Sequence, residues 1–180
     1  ESDQTIKVAT TKAAQEHGVV DEDLYFIPRK IVKKEDQILK DGDILISIAN
    51  SLNLLGRTTY INKDHVGITF GAFMGLIRAN KEKILPQYLY SILRTPFAKE
   101  YFEGNANTTT NISNLTSTAL LDYLIVLPPL SVQKEIVEQI NGFKKIIDGV
   151  EQVVSNWKPY FEIDPKWPRI KLGDVSTLMT

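Results

Sequence analysis

Five basic side chains stand in polar parts of the sequence, where they could contact the phosphates of a nucleic acid. Phosphate contacts need cations or hydrogen-bond donors. The densest basic run begins directly after Pro28. A run of this kind is also the ordinary composition of a solvated surface. The candidates for phosphate contact are Lys12, Arg29, Lys30, Arg57 and Lys63.

A second group of side chains, amides and hydroxyls, could read the edges of bases. Amides pair bidentately with adenine, and hydroxyl groups can serve several bases. These residues occur mainly in two polar segments, one that begins at residue 50 and one between residues 105 and 114. The same residue types are common in any loop, so each also has an ordinary structural interpretation. The candidates for base contact are Asn50, Ser51, Asn53, Thr58, Asn107, Thr109 and Asn111.

The sequence has no pattern typical of a catalytic or metal site. His17 and His65 lie in unrelated loops without clustered carboxylates, and the sequence has no cysteine and no glycine-rich phosphate loop. The Asp-Pro-Lys sequence at 164–166 matches half of a nuclease motif but lies in a linker bounded by prolines. The twin prolines 128 and 129 lack the polar and aromatic neighbours that base methylation needs. We therefore expect no catalytic residue and no metal or cofactor held by this chain.

The charge balance restricts how the chain could bind DNA. The 180 residues include 21 basic and 22 acidic side chains, for a formal net charge of −1. DNA-binding domains are usually basic, so binding would depend on local groups of cations or on a basic partner. No apolar run approaches the roughly 18 residues of a membrane span, and no signal peptide opens the sequence. We expect a cytoplasmic protein without membrane contact.

Short alternating segments predict an α+β domain over residues 1–127. Residues 44–49 place Ile44, Ile46 and Ile48 on one side, which predicts a strand with a buried isoleucine face. Asp41-Gly42 predicts a tight turn just before it. A helix is predicted from Pro86, a short helix capped by residue 113 or 114, and a last strand at 123–127. The expected fold is a small mixed or antiparallel sheet with short helices.

A long helix is predicted over residues 128–158. Its apolar residues recur in alternate steps of four and three, a period of about 3.5 that favours a coiled coil. Asn141-Gly142 leaves a second possibility, a turn that divides the segment into a helical hairpin. A single helix from 132 to 157 would be about 39 Å long and would need a partner along its seam. The seam residues are Ile136, Ile140, Phe143, Ile147, Val150, Val154 and Trp157.

Residues 159–180 change in character after the predicted helix. The first of them form a linker rich in proline and aromatic residues. Residues 167–175 then alternate as a short strand with a turn. This pattern looks like the opening of a further domain.

Several ordered segments together resemble one family, the DNA-specificity subunits of type I restriction–modification systems. No single segment is distinctive, but their order along the chain is. The segments are residues 39–47, Gly56-Arg57, residues 85–90, residues 108–115, residues 127–130 with 133–137, and residues 167–175.

The resemblance implies a role in reading DNA without catalysis. Members of the family carry two target recognition domains, each reading half of a split site. Long antiparallel helices set the spacing of the half-sites and dock the methyltransferase subunits. Those partner subunits bind S-adenosylmethionine, and the restriction subunit joins the complex indirectly. The same module also occurs fused behind methyltransferases in single-chain enzymes.

On this resemblance, the chain has a target recognition domain that lacks its opening segment and carries the opening segment of a second one. We hypothesise that residues 167–175 fill the vacant strand position, preferably in a neighbouring copy that pairs through antiparallel helices, as in a homodimer. The alternative, from another class, is a protein-interaction module whose coiled coil only assembles a complex.

Overall fold

The computed structural model describes residues 4–157, 164–169, 171, 174 and 177 of the chain. The chain divides into two compact units, Glu1–Asn141 and Gly142–Thr180. The first unit contains all the strands and short helices of the described residues. The predicted linker and second-domain opening lie mostly outside the described residues. In their described part, the amide of Trp167 donates to the carbonyl of Asp164, 2.9 Å away, in a turn.

The first unit is built around β5, Ile44–Ser47, which is buried along its whole length. It pairs antiparallel with β7, Thr58–Tyr60, on one side and with β9, Met74–Ile77, on the other. Ile44 and Ile46 belong to a hydrophobic cluster with the helices, whereas Leu45 belongs to a second cluster with Ala9 and Ile61. The expectation of one buried isoleucine face was therefore incomplete, because layers cover both faces of this strand.

Three smaller strand groups surround this central sheet. β1, Thr5–Ala9, pairs antiparallel with β4, Tyr25–Pro28, and parallel with β8, Thr69–Phe70. A short hairpin joins β2, Ala14–Gln15, to β3, Gly18–Val19. A third sheet has the strand order β10, Asn107–Thr108, then β11, Ser113–Asn114, then β6, Ala49–Asn50. Mixed and antiparallel pairing with short helices confirms the predicted α+β class.

Three short helices complete the first unit. α1, Pro86–Leu93, begins at a proline as predicted. Pro96 does not simply end that helix but begins α2, Pro96–Gly104, whose N-cap is the Thr95 hydroxyl. α3, Ser117–Leu121, is capped by Thr116. The predicted caps at residues 113 and 114 were wrong, because both residues pair within β11.

The segment 123–127 is not a strand, contrary to the prediction from its apolar composition. Its alternate residues Leu124 and Val126 are exposed. The segment is held by side-chain contacts instead of a strand ladder: the hydroxyl of Tyr88 donates to the carbonyl of Val126, 3.0 Å away. Tyr123 stacks at an angle against Tyr101 and Phe102.

A buried ion pair closes the turn before β5. Asp43 accepts from Arg78 Nε and Nη2 at 2.8 and 2.7 Å, and from the Lys40 amide at 2.7 Å. The hydrogen bond to Asp43 raises the pKa of Arg78. Gly42 has φ +90°, so this turn needs glycine there, as the Asp-Gly pair predicted. The turn and the strand that follows are thereby tied to β9.

The long helix α4 runs uninterrupted from Leu130 to Asn156. Its 27 residues span about 40 Å at 1.5 Å per residue. It passes through Gly142, so the single helix is confirmed and the hairpin alternative is wrong. The helix lies within the predicted range 128–158 and begins two residues before the 132–157 helix considered above. Within the first unit, Ile136 and Val137 pack against the core.

Gln133 fixes the start of α4 within the first unit. It is fully buried, although its position on the helix predicted a solvated side chain. Its Oε1 accepts from the Leu85 amide at 2.8 Å. Its Nε2 donates to the carbonyls of Lys83 and Pro128 at 3.1 and 2.8 Å. One amide thus satisfies three backbone groups from two separate segments.

Replacing Gln133 with alanine should lower the free energy of unfolding by about 2–3 kcal/mol, because buried backbone groups then lose their partners. Gln133→Glu should cost more, since a carboxylate would face two carbonyl oxygens. Urea denaturation followed by circular dichroism measures both changes.

Gln139→Ala provides the matched control, because Gln139 is exposed on the same helix. Its effect should stay within about 0.5 kcal/mol. Equal stability of the two alanine variants would contradict the role assigned to Gln133.

Candidate nucleic-acid interface

The sheet β10-β11-β6 brings together amide residues that are far apart in the sequence. Asn107 is the register partner of Asn114, and Ser113 is the partner of Asn50. Two of the predicted base-contact residues, Asn50 and Asn107, therefore lie in one sheet. Asn114 was not among the predicted residues. The only sequence signal for it is its position at the end of the polar segment 105–114.

The turn between β10 and β11 exposes further polar groups. The amide and the hydroxyl of Thr109 both donate to the carbonyl of Ile112, and both distances are 2.9 Å. Asn111 is exposed within this turn, and the Ile112 side chain beside it is exposed as well. The hairpin thus presents Asn107 and Asn111 to solvent, whereas the hydroxyl proton of Thr109 is used in the turn.

The loop after β6 is ordered by its own side chains. Asn50 Nδ2 donates to the Ser47 hydroxyl at 3.1 Å, and Asn50 Oδ1 accepts from the Ser51 amide at 2.9 Å. The Ser51 hydroxyl donates to Asn53 Oδ1 at 2.7 Å. Ser51 and Asn53 are exposed. The predicted residues of this loop form one connected polar group.

Two residues of the predicted set are used inside the fold. Thr58 is only 1% exposed, so its hydroxyl cannot reach a base edge, and we remove it from the candidates. Arg57 is partly buried: its Nη1 donates to Gln15 Oε1 at 2.9 Å and its Nη2 to the Thr11 carbonyl. Arg57 therefore joins the β2–β3 hairpin to the central sheet instead of standing free in solvent.

The other predicted cations differ in how freely they face solvent. Lys12 forms an ion pair with Asp23. Arg29 donates to Glu35 Oε1 at 2.5 Å and to the Val32 carbonyl at 3.1 Å. Lys30 and Lys63 are exposed. A cleft lined by Ile31, Val32, Gly71 and Ala72 connects this basic run to the segment before Phe73.

Phe73 connects that segment to the β10-β11-β6 sheet, which is called the amide sheet below. Its carbonyl accepts from the amides of Ile48 and Ala49 at 3.0 and 3.3 Å, at the start of β6. The phenyl ring itself is exposed. The loop with Ser51 and Asn53 leaves β6 at the end opposite to this contact.

The described residues contain no group of three or more side chains able to hold a metal ion. His65 Nδ1 donates to Asn62 Oδ1 at 3.0 Å, and His65 Nε2 lies 3.5 Å from Asp21 Oδ2. Among the helices that the structure describes, none is both long and apolar enough to cross a membrane.

These features define a module with a polar sheet and a long helix, and known proteins share them. The family of type I restriction modification DNA specificity domains matches residues 6–154. The chain belongs to this family, as its ordered segments predicted. The prediction of a specificity module, and not of a catalytic one, is confirmed at the level of the family.

Three named relatives are specificity subunits of type I restriction enzymes. The MjaX protein of Methanocaldococcus jannaschii is 33% identical over 114 residues, covering 63% of this chain and 27% of the relative. The EcoKI subunit of Escherichia coli is 28% identical over 121 residues, covering 66% of this chain and 26% of the relative. The StySPI subunit of Salmonella potsdam is 24% identical over 143 residues, covering 76% and 30%. The chain spans less than a third of each relative's length.

Solved structures share the fold. The HsdS subunit of Thermoanaerobacter tengcongensis superposes with a TM-score of 0.66 at 17% identity, over 96% of this chain and 48% of that one. A chain from a type I R-M system, solved in a study of its complex assembly and conformational transition, gives the same TM-score at 18% identity. These similarities support the fold class and leave the residue roles as predictions.

The contacts of Arg57 predict a structural cost when its side chain is shortened. Arg57→Gln should lower the free energy of unfolding by about 1–3 kcal/mol, because the Thr11 carbonyl and the Gln15 amide side chain lose a charged donor. Urea denaturation tests this. Lys63→Gln, at an exposed cation, should change stability by less than about 0.5 kcal/mol. An unaltered unfolding curve for Arg57→Gln would contradict this structural role and leave the Arg57 guanidinium free to contact a phosphate.

Proposed function

We propose that this chain recognises one half of a split DNA sequence for a type I restriction–modification complex. The single observation that carries the proposal is the pair of exposed amides Asn107 and Asn114, directly opposite each other on β10 and β11, in a member of the DNA specificity family. Amide side chains pair bidentately with the N6 and N7 atoms of adenine. A sheet with several amides is therefore suited to read bases.

The shape of the amide sheet supports base reading in the major groove. That groove is about 12 Å wide and admits a two-stranded β-ribbon. The β10–β11 hairpin is such a ribbon, and both residues of β10 are exposed. The exposed cations Lys30 and Lys63 would hold the hairpin in register on the sugar–phosphate backbone, as phosphate contacts do in other complexes. The retained base-contact set is Asn50, Ser51, Asn53, Asn107, Thr109, Asn111 and now Asn114.

The assignment of one half-site follows from how much of its relatives this chain matches. It covers 48% of the HsdS chain and 26–30% of the three named specificity subunits. The matched residues 6–154 would then hold one recognition domain and one spacer helix. The proposal assigns no catalysis to it, and S-adenosylmethionine belongs to the methyltransferase partner. The proposal includes a cytoplasmic location, because the proposed role is to read DNA.

The distal part of α4 supports the proposed partners. Its apolar residues are exposed and form two seams that share Phe143, Val150 and Trp157. The predicted seam adds Ile147 and Val154, and a second seam adds Ile146 and Val153. A two-stranded coiled coil uses two apolar positions per heptad, whereas a wider stripe contacts more than one neighbour. We assign one seam to an antiparallel helix, in a homodimer or a longer chain, and the other to the methyltransferase.

A purely scaffolding role remains the second candidate, because the same exposed stripe favours it. The two functions differ in the amide sheet, which a scaffold does not need. The restriction subunit joins either assembly only indirectly. Hence the decisive test is DNA binding, with variants of the sheet and of the helix compared in the same assay.

Replacing the sheet amides should weaken sequence-specific binding and spare non-specific binding. The first experiment measures binding of the chain with its methyltransferase subunit to random duplexes in low salt, and methylome sequencing then gives the target. Asn107→Ala and Asn114→Ala, at the exposed pair, should each cost about 1–3 kcal/mol of discrimination at one base pair.

Asn105→Ala is the matched control, because the Asn105 amide donates to the Tyr101 carbonyl at the end of α2 and lies outside the sheet. It should leave discrimination unchanged. The absence of duplex binding by the assembled complex would overturn the recognition function and leave the scaffold.

Substitutions along α4 should distinguish the interactions made by the two seams. Val150→Asp, on both seams, should abolish helix pairing and methyltransferase binding together. Ile146→Asp and Ile147→Asp, on one seam each, should each reduce one of the two. Light scattering measures the first interaction and co-purification the second, and Glu151→Gln is the charged control. If Ile146→Asp and Ile147→Asp give the same defects, the two-seam assignment fails.

A further inference from the structure

A small basic pocket lies where α1 ends and α2 begins, and its volume is about 150 Å³. Arg57, Arg94 and Lys99 provide three cations in its lining, and Glu16 provides one carboxylate. Asn53 contributes an amide, and leucine side chains form the remaining wall. Arg94 and Lys99 were not among the predicted phosphate contacts, because each is a single basic residue in its part of the sequence.

The position of Arg94 is fixed by an aromatic residue one helical turn earlier. Its guanidinium carbon lies 5.1 Å from the centre of the Tyr90 ring, in a cation–π contact. The Tyr90 hydroxyl donates to the Glu16 carbonyl at 2.9 Å, and the ring packs against Tyr60. Burial raises the pKa of Tyr90, so this hydroxyl stays protonated as a donor. The Tyr90 ring thus holds the Arg94 side chain in place, and the guanidinium remains partly exposed.

The acidic partners of the pocket cations are weakly placed. Arg94 Nη2 is 3.5 Å from Glu16, and Lys99 Nζ is 3.8 Å from Glu103 on the same helix. Exposed pairs of this kind contribute about 0–1 kcal/mol. An anion that enters the pocket could therefore take over these cations at little cost. With three cations against one lining carboxylate, the pocket favours an anionic group.

The pocket adjoins the amide sheet through a single loop. β6 ends at Asn50, and Asn53 lines the pocket three residues later. The Ser51 hydroxyl donates to Asn53 Oδ1, which fixes the amide between the sheet and the pocket. The loop that follows β6 therefore also lines the pocket, and this continuity is the basis for assigning both to one DNA strand.

We infer that Arg94 and Lys99 bind a backbone phosphodiester of the DNA strand whose bases face the β10-β11-β6 sheet. This inference rests on the proposed function and adds a contact that positions the duplex. Arg94 offers a planar donor fork, and Lys99 offers a point charge, so both can address the same phosphate. Arg57 adds positive charge while remaining bonded within the fold.

The test is the salt dependence of binding to a random duplex by the complex of the full chain with its methyltransferase. The logarithm of affinity falls with the logarithm of salt by about 0.9 per phosphate neutralised. Arg94→Gln with Lys99→Gln should lower this slope by about 0.9, because one phosphate is lost. The single variants should each weaken binding, and their effects should not add, since they share that phosphate.

Lys81→Gln is the matched control, because Lys81 is exposed before α1 and Arg94 follows the opposite end of that helix. Its slope should equal that of the unaltered chain, and thermal unfolding should be unchanged in all variants. An unaltered slope in the double variant would overturn the pocket while leaving DNA recognition intact. Loss of all duplex binding by the unaltered complex would overturn both.

A second arm distinguishes a backbone phosphate from free phosphate. The titrations are repeated with inorganic phosphate in place of chloride at the same ionic strength. At a backbone site, inorganic phosphate should compete with the duplex, so it should weaken binding by the unaltered chain more than binding by the double variant. If phosphate raises the thermal stability of the unaltered chain and not of the double variant, while both bind the duplex with equal slopes, the pocket is a free-phosphate site and the inference is overturned.

Discussion

The buried amide of Gln133 is the contact on which the arrangement of the first unit depends. Twin prolines precede α4, and proline has no amide proton to donate to a neighbouring segment. The helix start is held instead by a side chain that bonds both to the carbonyl of the first proline, Pro128, and to the segment entering α1. A buried amide with its donors and acceptor satisfied specifies one geometry, because any displacement leaves polar groups unpaired.

That geometry extends from the helix start to the proposed DNA contacts. Leu85, which Gln133 bonds, is the N-cap residue of α1, and Arg94 is the C-cap of the same helix. Tyr88 in α1 also holds the segment before α4 through the Val126 carbonyl. A spacer helix can set a distance between recognition domains only if it is rigidly attached to each. The contacts of α1 on both sides provide such an attachment within this unit.

The sequence predicted the elements whose signals are local. The alternation of β5, the Asp-Gly turn, the proline at the start of α1 and the heptad period of α4 all concern neighbouring residues. It did not predict the burial of Gln133, because helical periodicity places this residue on a polar face and the bonds that bury it come from about 50 residues away. The segment 123–127 has strand composition, yet composition does not show whether a strand partner is present.

The candidate site was harder to predict for a related reason. A guanidinium that can bind a phosphate can bind a carbonyl and an amide oxygen equally well. In this structure Arg57 donates to the Thr11 carbonyl and to the side-chain oxygen of Gln15. The polar segments were recognised, whereas the sheet that joins Asn50 to Ser113 and Asn114 is a pairing across more than 60 residues. Arg94 gave no sequence signal, since its significance comes from a pocket formed by four separate segments.

A net charge of −1 also bears on how such a chain would use DNA. Salt reduces the range of electrostatic attraction to about 8 Å at physiological ionic strength, so cations in contact with a bound duplex would attract it while the total charge matters little. Few cations give a shallow salt dependence and weak non-specific binding. Affinity would then come largely from a basic partner, and discrimination between sequences from the amide sheet. In such a division, a specificity module need not be basic, because its contribution is the difference in affinity between sequences.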